Sequence, residues 1–212
     1  MKTPPVELTL PLDADTPVFS EGGYRDPPFR MTDWCTVPDR GFWVSRLEMG
    51  TQTGTHIDAP AHFVPGAETL DALPLAALIG PYFRFRLSGT GEGTDPGGIR
   101  HRYRGESLLL LQCEREGARI DPGTLSVLLD LGCRVWVAAA EVSVAGGGPW
   151  AFNRRLAEAG VFLVEGVNDE AADRLSGRGI LVVLPLRLQR AGGSPCRVVA
   201  LPEADSSGRH DP

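Results

Sequence analysis

Three uninterrupted apolar runs dictate most of what this chain can become. "SLLLLQC", "RVWVAAAEVSV" and "VFLVEGV" follow one another through its second half. None alternates polar with apolar residues as a strand with one wet face does, so each reads as a strand buried on both faces. The segments between them carry helix punctuation. "DPGTLSVLLDLGC" offers Asp121 as N-cap, Pro122 at the first helical position and Gly132 as a stop. "WAFNRRLAEAG" closes on Gly160. Buried strands alternating with short helices predict a single α/β domain with a mixed β-sheet.

The remaining elements fit around that frame. "VELTLPL" and "PYFRFRLSG" read as strands, and "ILVVLPLRL" and "CRVVALP" as two more joined by a hairpin through "QRAGGSP". "LDALPLAALIG" carries leucine at helical spacings, with Pro74 suited to a first turn and Gly80 to a stop, and predicts a helix. "NDEAADRLSGRG" reads as a capped short helix or turn. The Gly- and Pro-rich "TPVFSEGGYRDPPFR" and the stretch "GEGTDPGGIRHRYRGE" read as loops. The domain is expected over residues 1–205, with 206–212 a polar, disordered tail that contains His210.

The net charge of −6 gives no basic footprint for nucleic acid or an anionic membrane. No run approaches the roughly 20 apolar residues that span a bilayer. Cys35, Cys113, Cys133 and Cys196 are scattered singly, which predicts free thiols and a reduced, cytoplasmic setting. No glycine-rich phosphate-binding pattern follows a strand, so nucleotide binding has no support.

Chemistry concentrates in "MGTQTGTHIDAPAHF", residues 49–63. Gln52, Gly54, His56, Asp58, Pro60 and His62 share one parity, and the β-branched Thr51, Thr53, Thr55 and Ile57 the other. Period two places the polar set on one face of an extended chain. A helix would also pair Gln52 with His56 and Asp58 with His62, but Pro60 and the β-branched run oppose it. Extended chain entering a turn at "DAP" is therefore expected.

"QTGTHIDAPAHF" resembles the HxGTHxDxPxH signature of the cyclase family, which includes bacterial kynurenine formamidase and isatin hydrolase. "LTLPLDADTPVF", "LDALPLAALIGP", "LVEGV" and "LPLRLQRAGGSPCRVVAL" resemble further segments of that family in order. The resemblance implies a swivelling β/β/α-type fold, a homodimer or higher homo-oligomer, and a metal centre of two zinc ions or one manganese. It implies that His56, Asp58 and Glu165 are metal ligands and that His62 is the general acid/base. Two positions depart from the pattern. Gln52 stands where the first motif histidine belongs, and Asn153, twelve residues before Glu165, stands where a distant histidine belongs.

A neutral amide is a poor zinc donor, so losing both imidazoles weakens the expected metal centre. No cofactor is favoured on this reading, with zinc or manganese if the site is retained. Ring closure or related proton transfer on a carbonyl-bearing small molecule needs no activated water and fits a weakened site best, in specialised metabolite biosynthesis. The alternatives are a metal-dependent amide or ester hydrolase and a non-catalytic small-molecule-binding protein. The expected catalytic set is His62, His56, Asp58 and Glu165, with Asp58 fixing the His56 tautomer or raising its pKa. As amides, Gln52 and Asn153 can hold a polar ligand or satisfy Asp58 and Glu165, and they are expected to orient substrate, with Trp43, Phe19 and Phe63 as apolar walls.

Overall fold

In the computed structural model, which describes residues 4–87, 96–113, 117–175 and 177–203, the chain folds around a nearly closed mixed sheet. In chain order the strands are β1 (Val6–Glu7), β2 (Ser20–Glu21), β3 (Tyr24–Arg25), β4 (Arg30–Cys35), β5 (Val44–Glu48), β6 (His56–Asp58) and β7 (Ile79–Leu87). They continue with β8 (Leu108–Cys113), β9 (Ala118–Ile120), β10 (Val135–Ala139), β11 (Val142–Val144), β12 (Phe162–Glu165), β13 (Gly179–Pro185) and β14 (Gly193–Pro202). The helices are α1 (Val37–Arg40), α2 (Pro96–Arg102), α3 (Pro122–Leu129), α4 (Ala151–Glu158) and α5 (Asp169–Asp173). The main sheet runs β1-β14-β13-β7-β8-β10-β12-β6, and β6 also pairs with β14, closing seven strands into a barrel-like core. Parallel pairing joins β7, β8, β10 and β12, and the remaining contacts are antiparallel.

The apolar runs are buried on both faces because each strand serves two cores. Leu108 and Leu110 of β8, with Val135 and Val137 of β10, point into the barrel beside Ile57, Tyr82 and Leu181. Leu109, Leu111 and Trp136 point outward, where Leu125 and Leu128 of α3 and Phe152 and Leu156 of α4 cover them. Capping fixes α3 as expected, since the Asp121 carboxylate accepts the Thr124 amide at 2.9 Å. Trp136 is fully buried, and its indole N–H donates to the Cys133 carbonyl at 3.0 Å. Trp136→Ala is expected to cost about 3–5 kcal/mol in chemical denaturation, from lost transfer energy and the residual cavity.

Several local expectations are corrected. "LDALPLAALIG" forms two 3-10 turns, Leu70–Ala72 and Leu75–Ala77, and no α-helix. Leu73 precedes Pro74 and is extended (φ −76°, ψ 118°), the conformation that a following proline favours, and this splits the segment. Gly80 lies inside β7 and stops nothing. Within the two expected loops, β2 and β3 pair as a small hairpin and residues 96–102 form α2. "RVWVAAAEVSV" divides: β10 stays in the main sheet, whereas β11 pairs with β9 in a separate ladder. The hairpin across "QRAGGSP", the short helix α5 and the opening strand are as expected. The expected disordered tail, 206–212, and His210 lie outside the described residues.

Candidate active site

Two backbone contacts bring the functional side chains together. β6 pairs antiparallel with β12, placing His56 opposite Glu165, and with β14, placing Asp58 opposite Gly193. Thr55 ties this arrangement to its surroundings: its hydroxyl donates to the Gly166 carbonyl and accepts the Leu10 amide at 2.9 Å. Gly166 has φ +66°, and a Cβ there would lie 2.5 Å from the Gly54 carbonyl oxygen, so only glycine allows this approach. A Cβ at Gly193 would lie 2.5 Å from the Gln52 amide nitrogen, so its absence leaves room for Gln52.

The motif is less extended than its parity suggests. Only His56–Asp58 is strand; the preceding residues turn, with Gly54 at φ +64°. The segregation of faces survives nonetheless. Thr53, Thr55 and Ile57 are buried, while Gln52, His56 and Asp58 line a cavity of about 860 Å³. The turn at "DAP" is a 3-10 turn, Pro60–His62, which swings His62 into the same cavity.

At the cavity floor, one nitrogen of His56 and one carboxylate oxygen from each of Asp58 and Glu165 lie within 4.8 Å of one another. His56 Nδ1 is 2.9 Å from the Gly54 carbonyl, which can only accept, so Nδ1 donates there, and Nε2 is turned toward Asp58 Oδ1 at 3.5 Å. A backbone carbonyl, and not Asp58, therefore orients the His56 ring through Nδ1, which corrects the expectation that Asp58 fixes its tautomer. Gln52 Nε2 reaches Asp58 Oδ1 at 3.5 Å, and its own Oε1 accepts the Thr51 hydroxyl at 2.6 Å. Asn153 Nδ2 donates to both oxygens of Glu165, at 3.2 and 3.3 Å.

Both carboxyls resist ionisation. Burial pushes Asp58 up to about 6, with the His62 charge and the Gln52 bond pulling back. Glu165 is also pushed up, by burial first and then by the charge of Asp58, while His56 and Asn153 pull it back. Among the described residues no arginine or lysine offsets either group. A buried and a half-buried carboxyl beside an imidazole, with no arginine or lysine against them among the described residues, form a donor set that fits one divalent ion.

The sequence profile of the Cyclase family matches residues 6–184. The chain belongs to the Cyclase family. Among curated members, the kynurenine formamidase of Paracidovorax citrulli is 29% identical over 211 residues, covering 91% of this chain and 94% of that protein. A solved structure described as a potential metal-dependent hydrolase with cyclase activity is 26% identical, with a TM-score of 0.69 over 93% of this chain and 96% of the other. Isatin hydrolase A from Labrenzia aggregata, at 23% identity and a TM-score of 0.75 over 95% of this chain and 94% of its own, shares the fold. This Cyclase-family site therefore sits on the scaffold of known hydrolases with amides at positions 52 and 153.

Phe19 and Phe63 line the cavity as expected, but Trp43 does not. It is 64% exposed on the β4–β5 hairpin, where its indole N–H donates to Asp33 at 2.6 Å. Of the two roles open to Asn153, the structure favours the second: it is buried on α4 and donates to both oxygens of Glu165 rather than lining the cavity. Trp150 was missed. It packs edge-on against Phe19 at 5.1 Å and faces Phe63 at 6.0 Å, completing an aromatic wall beside His62. A bulky aromatic directly after "AGGGP" and before the helix was the available signal, although its left-handed backbone (φ 61°) was not legible. Because Asn153 holds a carboxylate that can ligate metal, Asn153→Ala should lower the affinity for a divalent ion roughly 10- to 100-fold. Competition with a chelating dye measures this, and unchanged affinity would remove Asn153 from the site.

Proposed function

We propose that this chain is a metal-dependent hydrolase of an amide bond, with His56, Asp58 and Glu165 holding one divalent ion and His62 moving the proton. The observation that carries this is the convergence of those three donors, within 4.8 Å of one another, in the cavity that His62 enters. The hydrolase names of the relatives support it over ring closure, the reading that the altered motif first favoured. They also weigh against a purely binding role.

A bound ion supplies Lewis acidity at the substrate carbonyl and at water. The chain's own residues do the rest. Asp58 and Glu165 lose their protons on taking up the ion, and Gln52 and Asn153 hold them in place through hydrogen bonds. Gly54 keeps Nε2 of His56 turned toward the site. His62 accepts a proton from water and returns it to the departing amide nitrogen, the step that makes an amine a viable leaving group. Phe19, Phe63 and Trp150 hold a flat apolar substrate against that point and exclude bulk water. Aromatic formamides and cyclic amides fused to an aromatic ring are accordingly the substrates to assay. Release of an arylamine from them, lost on chelation and regained with manganese or zinc, is the expected result; chelator-insensitive turnover contradicts the proposal.

A further inference from the structure

The carboxamide of Gln52 has a donor that no partner takes up. Its oxygen is turned onto Thr51: Oε1 accepts the Thr51 hydroxyl at 2.6 Å, and Thr51 is not among the residues that line the cavity. That distance suits an O–H donor and is short for an N–H, so the oxygen and not the nitrogen stands at Thr51. The nitrogen is therefore the end that Gln52 brings to the cavity floor. A carboxamide nitrogen carries two protons, and Asp58 Oδ1, at 3.5 Å, is the one acceptor of Gln52 Nε2 among the described residues. His56 Nε2 lies 3.5 Å from the same oxygen, so amide and imidazole flank it at equal range. The backbone of β14 provides the seat, since a Cβ at Gly193 would lie 2.5 Å from Gln52 Nε2 and 3.3 Å from Asp58 Oδ1.

We propose that the second N–H of Gln52 is a catalytic donor, bonded to the carbonyl oxygen of the amide substrate and tightening as that oxygen becomes an oxyanion. This rests on the hydrolase reading above. In that reaction the water oxygen bonds to the carbonyl carbon, the C=O π pair moves onto oxygen, and His62 takes a water proton. Collapse returns the pair to C=O, breaks the C–N bond and delivers the proton to nitrogen. Negative charge thus gathers on one oxygen for the life of the intermediate. A dipole already aimed at that oxygen stabilises it without reorganising as the charge forms. Gln52 is held at both ends in this way, by Thr51 on its oxygen and by Asp58 on one N–H. The chemistry of the floor favours such a donor. Asp58 and Glu165 are there already, and an N–H turned to the oxyanion offsets their repulsion without bringing another charge. Gln52 and His62 also meet over one group, because the hydrogen bond of the first and the charge of the second both act on Asp58. Thr51 touches no substrate and acts through Gln52 as a positioning residue.

Kinetics at saturating manganese provide the first test. Gln52→Leu should lower kcat on formanilide roughly 10²- to 10³-fold, the range for removal of one oxyanion donor. KM should stay within about threefold, because the bond reaches full strength only in the transition state. Thr51→Val should lower kcat about 2- to 10-fold, the effect of one lost neutral hydrogen bond. Thr51→Ser should restore it, which a packing role for the threonine methyl would not allow. The second test needs neither metal nor turnover. In metal-free, isotope-labelled protein the Gln52 side-chain amide gives a pair of proton resonances, identified by their loss in Gln52→Leu. Saturating formanilide should move one of them downfield and leave the side-chain pair of Asn153, which does not line the cavity, in place. Turnover that survives chelation contradicts the metal reading alone, and the Gln52 resonance still stands or falls by itself. Gln52 resonances that stay in place at saturating formanilide, or a Gln52→Leu kcat within about threefold of wild type at saturating ion, overturn the inference.

Discussion

Asp58→Asn should abolish turnover and yet raise the melting temperature of the metal-free protein. The loss follows from removing one of three donors, since the several kcal/mol that a bound ion contributes to the transition state correspond to a rate loss of more than about 10³-fold. The gain follows from burial. Asp58 and Glu165 are carboxyls whose folded-state pKa lies above the ordinary value, Asp58 at about 6 against 3.8. Such a group favours folding below its unfolded pKa, and that contribution disappears as pH rises through the folded value. The metal-free wild type should therefore lose stability between about pH 4 and 7, and Asp58→Asn should flatten that decline by removing both a buried charge and its repulsion on Glu165. Thermal melts across that range, with chelator present, check the sign. A variant less stable than wild type near neutrality would show that Asp58 is offset by a partner other than a metal.

His62→Ala should lower turnover roughly 10²- to 10⁴-fold, the range for removal of a general acid–base group, while metal stoichiometry stays unchanged. His62 is outside the donor cluster and sits on the 3-10 turn, with its ring edge-on to Phe63 at 4.6 Å. Its side chain is exposed at the cavity, so the fold should tolerate the change. Loss of metal along with activity would make His62 a ligand, and retained activity would leave the proton step to another group.

What the sequence made legible was the chemistry that local patterns encode. The runs at β8, β10 and β12 announced a sheet covered on both sides, and residues 52–62 announced a polar face because parity survives even where the chain turns. Glu165 and Asn153 were reachable only through spacing borrowed from a resembling family, and their contact at 3.2 Å joins β12 to α4. Orientation was not legible. The sequence left Asn153 open between holding substrate and satisfying Glu165; α4 turns it toward Glu165, and no local signal reports which way a helix rotates against a sheet. Trp43 was an aromatic wall candidate alongside Phe19 and Phe63, whereas the β4–β5 ribbon carries it away from the cavity. The split of "LDALPLAALIG" was visible in principle, since Pro74 restrains Leu73, but leucine spacing outweighed it.

The central claim is that one divalent ion, held by His56, Asp58 and Glu165, drives amide hydrolysis despite the amides at positions 52 and 153. The most direct measurement strips the protein with chelator, adds manganese or zinc stepwise, and follows arylamine release from an aromatic formamide. The account predicts that activity vanishes on stripping and returns in proportion to the first equivalent of ion, with no further gain from a second. Full activity in the stripped protein, or a rise that continues through a second equivalent, would contradict it.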